Sequence, residues 1–95
     1  QEILAAWDEV LGDAKGRAPS AVDWRGTKAC ALLEARWREN FNACNASGTV
    51  RYTDIETGVT WWRLAFETLR GKPNFLRSDV DLFNLFHKET FVRAA

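Results

Sequence analysis

Between Thr57 and Leu76 the apolar residues follow a helical rhythm. Val59, Trp62, Phe66 and Leu69 recur at i, i+3, i+7 and i+10, one face of a helix with about 3.6 residues per turn. Thr60, Arg63, Glu67 and Arg70 repeat that spacing one residue along and supply a polar face beside it. Gly71 is expected to take the left-handed conformation that ends helices, and Pro73 forbids continuation. The rest of the chain is expected to pack on this helix.

Upstream, Ile3, Leu4, Trp7, Val10 and Leu11 predict a short amphipathic helix ending near Gly12. Asp13 to Ser20 contains Gly16 and Pro19 and reads as a loop. Cys30, Leu33, Trp37, Phe41 and Cys44 step by three or four throughout, predicting one long helix from Asp23 or Thr27 to Cys44. Thr49 to Glu56 reads as an ordered loop, with a single strand around residues 49–56 as the alternative, because Val50 and Tyr52 alternate with polar residues. Lys72 to Arg77 is a connection. Ser78-Asp-Val-Asp81 resembles a capping box leading into a compact apolar helix over Val80, Leu82, Phe83, Leu85 and Phe86. Glu89 to Ala95 adds a last turn or two, with Phe91 and Val92 docking on the bundle. The predicted fold class is all-α, a compact bundle of four to five short helices.

Ninety-five residues make one domain, residues 1–95, near the lower limit for burying a sufficient core. Five Trp and six Phe supply large side chains for that core. The 13 basic and 13 acidic residues cancel overall, but they are unevenly spread. Residues 1–14 carry four acids and no base, a local charge of −4; residues 15–38 reach +4 and residues 61–78 reach +3. Such a polarised domain can steer a charged partner to one side. A start at Gln1 and the absence of methionine point to a piece of a longer protein. With no apolar run of membrane-spanning length and no signal-peptide pattern, the expectation is a cytoplasmic protein with no membrane partner.

Reactive chemistry is sparse. On one continuous helix Cys30 and Cys44 lie about 21 Å apart, too far for a disulfide, so both read as thiols packed like small apolar residues. His87 is the single histidine, and a structural zinc site wants four ligands. Asp79 and Asp81 suit the first turn of a helix. No phosphate loop or nucleophile turn is present. Neither catalysis nor a metal nor another cofactor is expected.

The bases and the aromatics off the stripes remain as candidate binding residues. Lys72 and Arg77 flank Pro73, Asn74 and Phe75 on a connection, which suits phosphate contacts beside a ring available for base stacking. Arg51 beside Tyr52 makes a second, weaker platform. Lys28 on the second helix and Arg63 and Arg70 on the central one extend the basic faces, although intrahelical pairing of both arginines with Glu67 accounts for them as well. Trp7, Trp37 and Trp62 lie on stripes and belong to the core, whereas Trp24 and Trp61 fall off them and are candidate partner contacts.

Several segments together resemble one family. They are Ile3-Leu-Ala-Ala-Trp7-Asp-Glu9, Ala35-Arg-Trp-Arg-Glu39, Trp61-Trp-Arg-Leu-Ala-Phe-Glu67, Asn74-Phe-Leu76, Asp81-Leu82 and Thr90-Phe-Val92. In this order they resemble the small C-terminal helical domain of phage and prophage replication proteins, the replisome organisers and primosomal helicase-loader-like proteins. The resemblance implies a helical module that touches single-stranded DNA, the replicative helicase, or both. The alternative is a pure protein–protein module, favoured by the acidic first helix, a poor neighbour for a phosphate backbone.

Overall fold

The computed structural model of the chain describes residues 2–44 and 47–87. Among these residues it holds five helices and no strand: α1 (Glu2–Lys15), α2 (Ala21–Trp24), α3 (Lys28–Asn40), α4 (Ile55–Arg70) and α5 (Pro73–Arg77). The all-α bundle expected from the apolar rhythm is the fold. The expected final turns over Glu89–Ala95 lie outside the described residues.

The central helix, α4, starts earlier than Thr57. Asp54 caps it, its carboxylate accepting from Thr57 N at 2.8 Å while the Thr57 side chain reaches back to the Asp54 backbone. Trp62, Phe66 and Leu69 are buried, and Val59 is half-buried. At the far end Gly71 has φ −77°, so no left-handed residue is used there. Its N–H is shared between the carbonyls of Glu67 and Thr68, and Pro73 opens α5 at its first turn. Lys72 is extended, as the residue before a proline prefers.

α1 runs through Gly12 to Lys15 rather than stopping at the glycine. A mid-helix glycine costs about 0.5–1 kcal/mol but does not end a helix whose apolar face is buried. Here Gly12 makes room for the Arg17 side chain, which would lie 3.2 Å from a Cβ at that position. The turn comes at Gly16, with φ +93°, whose carbonyl accepts from Trp7 Nε1 at 2.8 Å.

The long second helix is in fact two helices and a loop. Gly26 has φ +83° and breaks the chain between α2 and α3, and Thr27 caps α3 by accepting from Cys30 N at 3.1 Å. α3 then ends at Asn40, with Asn42 at φ +59°. Phe41 and Cys44 therefore continue the stripe only in spacing, and both are exposed. Cys30 is buried, and neither cysteine is in a disulfide. The segment that follows is a loop with two isolated bridges, Phe41 to Tyr52 and Cys44 to Val50.

The expected helix over Val80–Phe86 is a series of turns. The reciprocal cap lies at Asp81 and Asn84, not at Ser78: Asp81 Oδ1 accepts from Asn84 N and the Asn84 side chain accepts from Asp81 N at 2.8 Å. Leu82, Leu85 and Phe86 of the expected apolar face are buried and Val80 is half-buried, but Phe83 is exposed.

α1 and α4 are the main packed pair and run in the same direction. Glu2 sits beside Ile55, Glu9 meets Arg63 and Asp13 meets Arg70. Between them Trp7 stands edge-on to Phe66 with ring centroids 5.5 Å apart, and Trp62 meets Phe86 at 5.7 Å. α5 is tied to the end of α1 by Lys15, which donates to the carbonyls of Phe75 (3.0 Å) and Ser78 (2.8 Å).

Candidate functional site

The basic face of α4 is turned against the acidic helix. Arg63 pairs with Glu9 at 2.5 Å, and Arg70 pairs with Asp13 through both guanidinium nitrogens (2.8 and 3.1 Å) while donating to the Val10 carbonyl. Glu67, four residues from Arg63 and three from Arg70, is not the partner either arginine chose. The hydrogen bond from Arg70, and then its charge, holds the Asp13 carboxyl below its ordinary range despite some desolvation. The bond to Glu9 likewise strengthens the hold of Arg63 on its proton. These pairs are exposed and open to screening by salt. Their main effect is on the field: two of the four carboxylates of α1 and both arginines of α4 neutralise one another where the helices meet.

The rings read as stacking or contact surfaces are mostly interior. Phe75 is buried beneath Lys15, whose ammonium lies 4.8 Å from its ring centroid. The Lys72–Arg77 connection is a short helix that turns this ring inward, so it offers no exposed stacking face. Trp24 is fully buried and packs on Phe83 at 5.7 Å. It sits on a separate one-turn helix with its own register, so falling off the α3 stripe says nothing about exposure. Tyr52 is buried as the centre of a relay: Trp62 Nε1 donates to its hydroxyl at 3.1 Å, and the hydroxyl donates to the Trp37 carbonyl at 2.7 Å. Burial raises the Tyr52 phenol above its ordinary value, against the hydrogen bond from Trp62 and the nearby charge of Arg51.

What remains at the surface is scattered. Trp61 is half-buried against Tyr52, with the Arg51 guanidinium 5.6 Å from its ring centroid. Lys28 is exposed in the first turn of α3, and Lys72 and Arg77 bracket α5. On α3, Arg36 is buried rather than solvated: it donates to the Phe86 carbonyl at 3.3 Å and pairs with Glu39 at 2.6 Å. Among the described residues no group of His, Cys, Asp or Glu is arranged to hold a metal, and His87 is exposed.

Sequence reading missed a recess between α1, α3 and the start of α4. Ile3, Leu33, Trp37 and Val59 form its apolar lining, with Trp24 and Cys30 deeper in the wall, around a hollow of about 420 Å³. A second hollow of about 630 Å³ adjoins it along α4 and shares Glu2, Ile55 and Val59. Ile55 stands at the lip and is 68% exposed. Glu2 and Glu34 line the first hollow and Glu56 the second, so the rim is acidic. Gly58 shapes the lining, because the Trp37 ring lies where its Cβ would be.

The fold and this surface define a small all-α domain carrying an acid-rimmed apolar recess. Comparison of the chain with family models, curated proteins and solved structures finds no match.

Proposed function

We propose that this chain is a non-catalytic docking module that binds another protein. In line with its resemblance to phage-type replication proteins, its partner would be the replicative helicase or another subunit of a DNA-replication assembly. The observation that carries this reading is the pairing of Arg63 with Glu9 and Arg70 with Asp13. It ties the basic face of α4 into surface ion pairs within the chain and places carboxylates beside it, which a phosphate backbone would meet unfavourably. An open apolar recess is left instead, of the kind that protein partners fill.

Direct contact with single-stranded nucleic acid is the second reading. One observation favours it: half-buried Trp61 with Arg51 over its ring is a platform on which a base can stack. Lys72 and Arg77 would then supply the phosphate contacts.

Fluorescence anisotropy of a labelled single-stranded oligonucleotide at two salt concentrations, with duplex as control, separates the readings. Each neutralised phosphate on a single strand contributes about −0.7 to the log–log salt slope, so Lys72 and Arg77 together account for roughly −1.4. The docking reading expects weak binding with a slope no steeper than that, and stable capture of the chain by purified replicative helicase. Tight binding to the single strand with a much steeper slope, without helicase capture, overturns it.

A further inference from the structure

We infer that the recess between α1, α3 and α4 receives an amphipathic helical segment of the partner, with apolar anchors on one face and flanking Lys or Arg residues. The inference rests on the docking reading and names the site and the chemistry of its occupant.

Two independent features of the recess point the same way. The first is unspent apolar surface. Ile55 extends the α4 stripe one turn upstream of Val59, at the same spacing that buries Trp62 and Phe66, yet it is 68% exposed. Below it half-buried Trp37 and Val59 form the accessible apolar lining, over Ile3 and Leu33, which the core already buries. The second hollow continues past Ile55 and Val59 along Ala5 and the polar Thr60 and Arg63, so the surface is elongated. It has apolar anchor positions at its Ile55–Val59 end and polar ones beyond, which suits one amphipathic helix rather than a single side chain.

The second feature is charge. Glu2, Glu34 and Glu56 stand around the opening. Arg63 also lines it, but its charge is matched by Glu9 at 2.5 Å. Arg38 reaches Glu34 at 3.4 Å, a long and largely exposed pair. In the first turns of α1 and α4, Glu2 and Glu56 also favour their helix dipoles. That accounts for their presence without accounting for an uncovered isoleucine between them. An occupant with flanking cations complements this rim; a phosphate backbone or an acidic peptide is repelled by it.

The probe is a labelled designed peptide of about four helical turns, roughly 14 residues. It carries Leu at i, i+3 or i+4, and i+7, with Lys at both flanks. Two controls replace Lys by Glu or scramble the Leu positions. Binding to the whole chain is followed by anisotropy and by ¹H–¹⁵N correlation spectra. The Lys-flanked peptide is expected to bind about tenfold more tightly than either control. It should shift the amides of Ile3, Leu33, Ile55 and Val59 and the Trp37 indole, and leave the buried Trp7 and Trp62 indoles in place. Ile55→Ser, at an exposed position whose spectrum reports that the fold is kept, should weaken binding about tenfold. Equal binding of the Glu-flanked peptide, shifts confined to another surface, or indifference to I55S overturns the assignment. Concentration-dependent shifts of the recess without peptide also overturn it, by making a second copy the occupant. If the helicase captures wild type and I55S equally, the recess assignment fails while the docking reading stands; if it captures neither, the docking reading itself fails.

Discussion

Gly58 sits inside α4, where helix propensity alone favours alanine by about 0.8–1.0 kcal/mol. The structure argues for the opposite sign. A Cβ on residue 58 would lie 2.2 Å from Trp37 Cη2, 2.8 Å from Cζ2 and 2.9 Å from Cζ3. These are atoms of one rigid ring, so no flexible end can yield. The whole indole must move, and with it its contact with Tyr52, at a ring-centroid distance of 4.9 Å. Overpacking of this kind typically costs about 1–3 kcal/mol. Set against the propensity gain, Gly58→Ala is expected to destabilise by about 1 kcal/mol, with a fall in Tm of about 4–8 °C for a domain of this size. Thermal and urea unfolding followed by far-UV circular dichroism measures it, free of the overlapping emission of five tryptophans. Trp37→Leu removes the obstacle, and in that background the same glycine substitution should become stabilising by about the propensity difference. A stabilised G58A in the wild-type background would refute the close approach of the Trp37 ring to α4.

Tyr52→Phe removes both the acceptor of the Trp62 indole and a donor to the Trp37 carbonyl, and should cost about 1–3 kcal/mol in urea unfolding. Because burial raises the phenol of the chain's one tyrosine above 10.0, tyrosinate absorbance should appear later in the folded than in the unfolded protein. The stability it contributes is complete below pH 10 and lost as the pH rises through the folded value, and Y52F flattens that alkaline fall. For Asp13 the sign is reversed. Its carboxyl is held below 3.8 by Arg70, so its contribution is complete above about pH 4 and lost as the pH falls further, and Asp13→Asn should flatten the acid limb of urea midpoints. On the docking reading, reversing both charges at α5, Lys72→Glu with Arg77→Glu, should leave capture by the proposed helicase partner unchanged and reduce any single-strand salt slope by about 1.4.

Much of this fold was legible because α1 and α4 each carry one periodic apolar stripe, and such a stripe carries its own register. Reading failed where registers change. Gly26 resets the phase between α2 and α3, which put Trp24 off a stripe to which it never belonged. Phe41 and Cys44 kept the spacing beyond the last helical residue, so periodicity extended a helix that Asn42 had already ended. Tyr52 lies on a loop, where neither period applies, and only its distant partners Trp37 and Trp62 make it interior. The charge blocks were visible along the chain. That the acidic and basic ones face each other depends on the parallel packing of α1 against α4, which no local pattern encodes.

The recess follows from the same packing. An apolar stripe is buried only as far as neighbours cover it, and on α4 that cover is complete from Trp62 to Leu69. Val59 is half-covered and Ile55 is bare. At that end α3 contributes Trp37, drawn close enough by Gly58 to floor the opening without closing it. The polar face of α4 shows the converse, since its arginines are taken up by Glu9 and Asp13 farther along α1. One helix is thus divided by its surroundings: one end builds the core and neutralises its own cations, while the other presents an uncovered isoleucine between glutamates. For the proposed docking, it is the amino-terminal end of α4, not its basic face, that this division singles out.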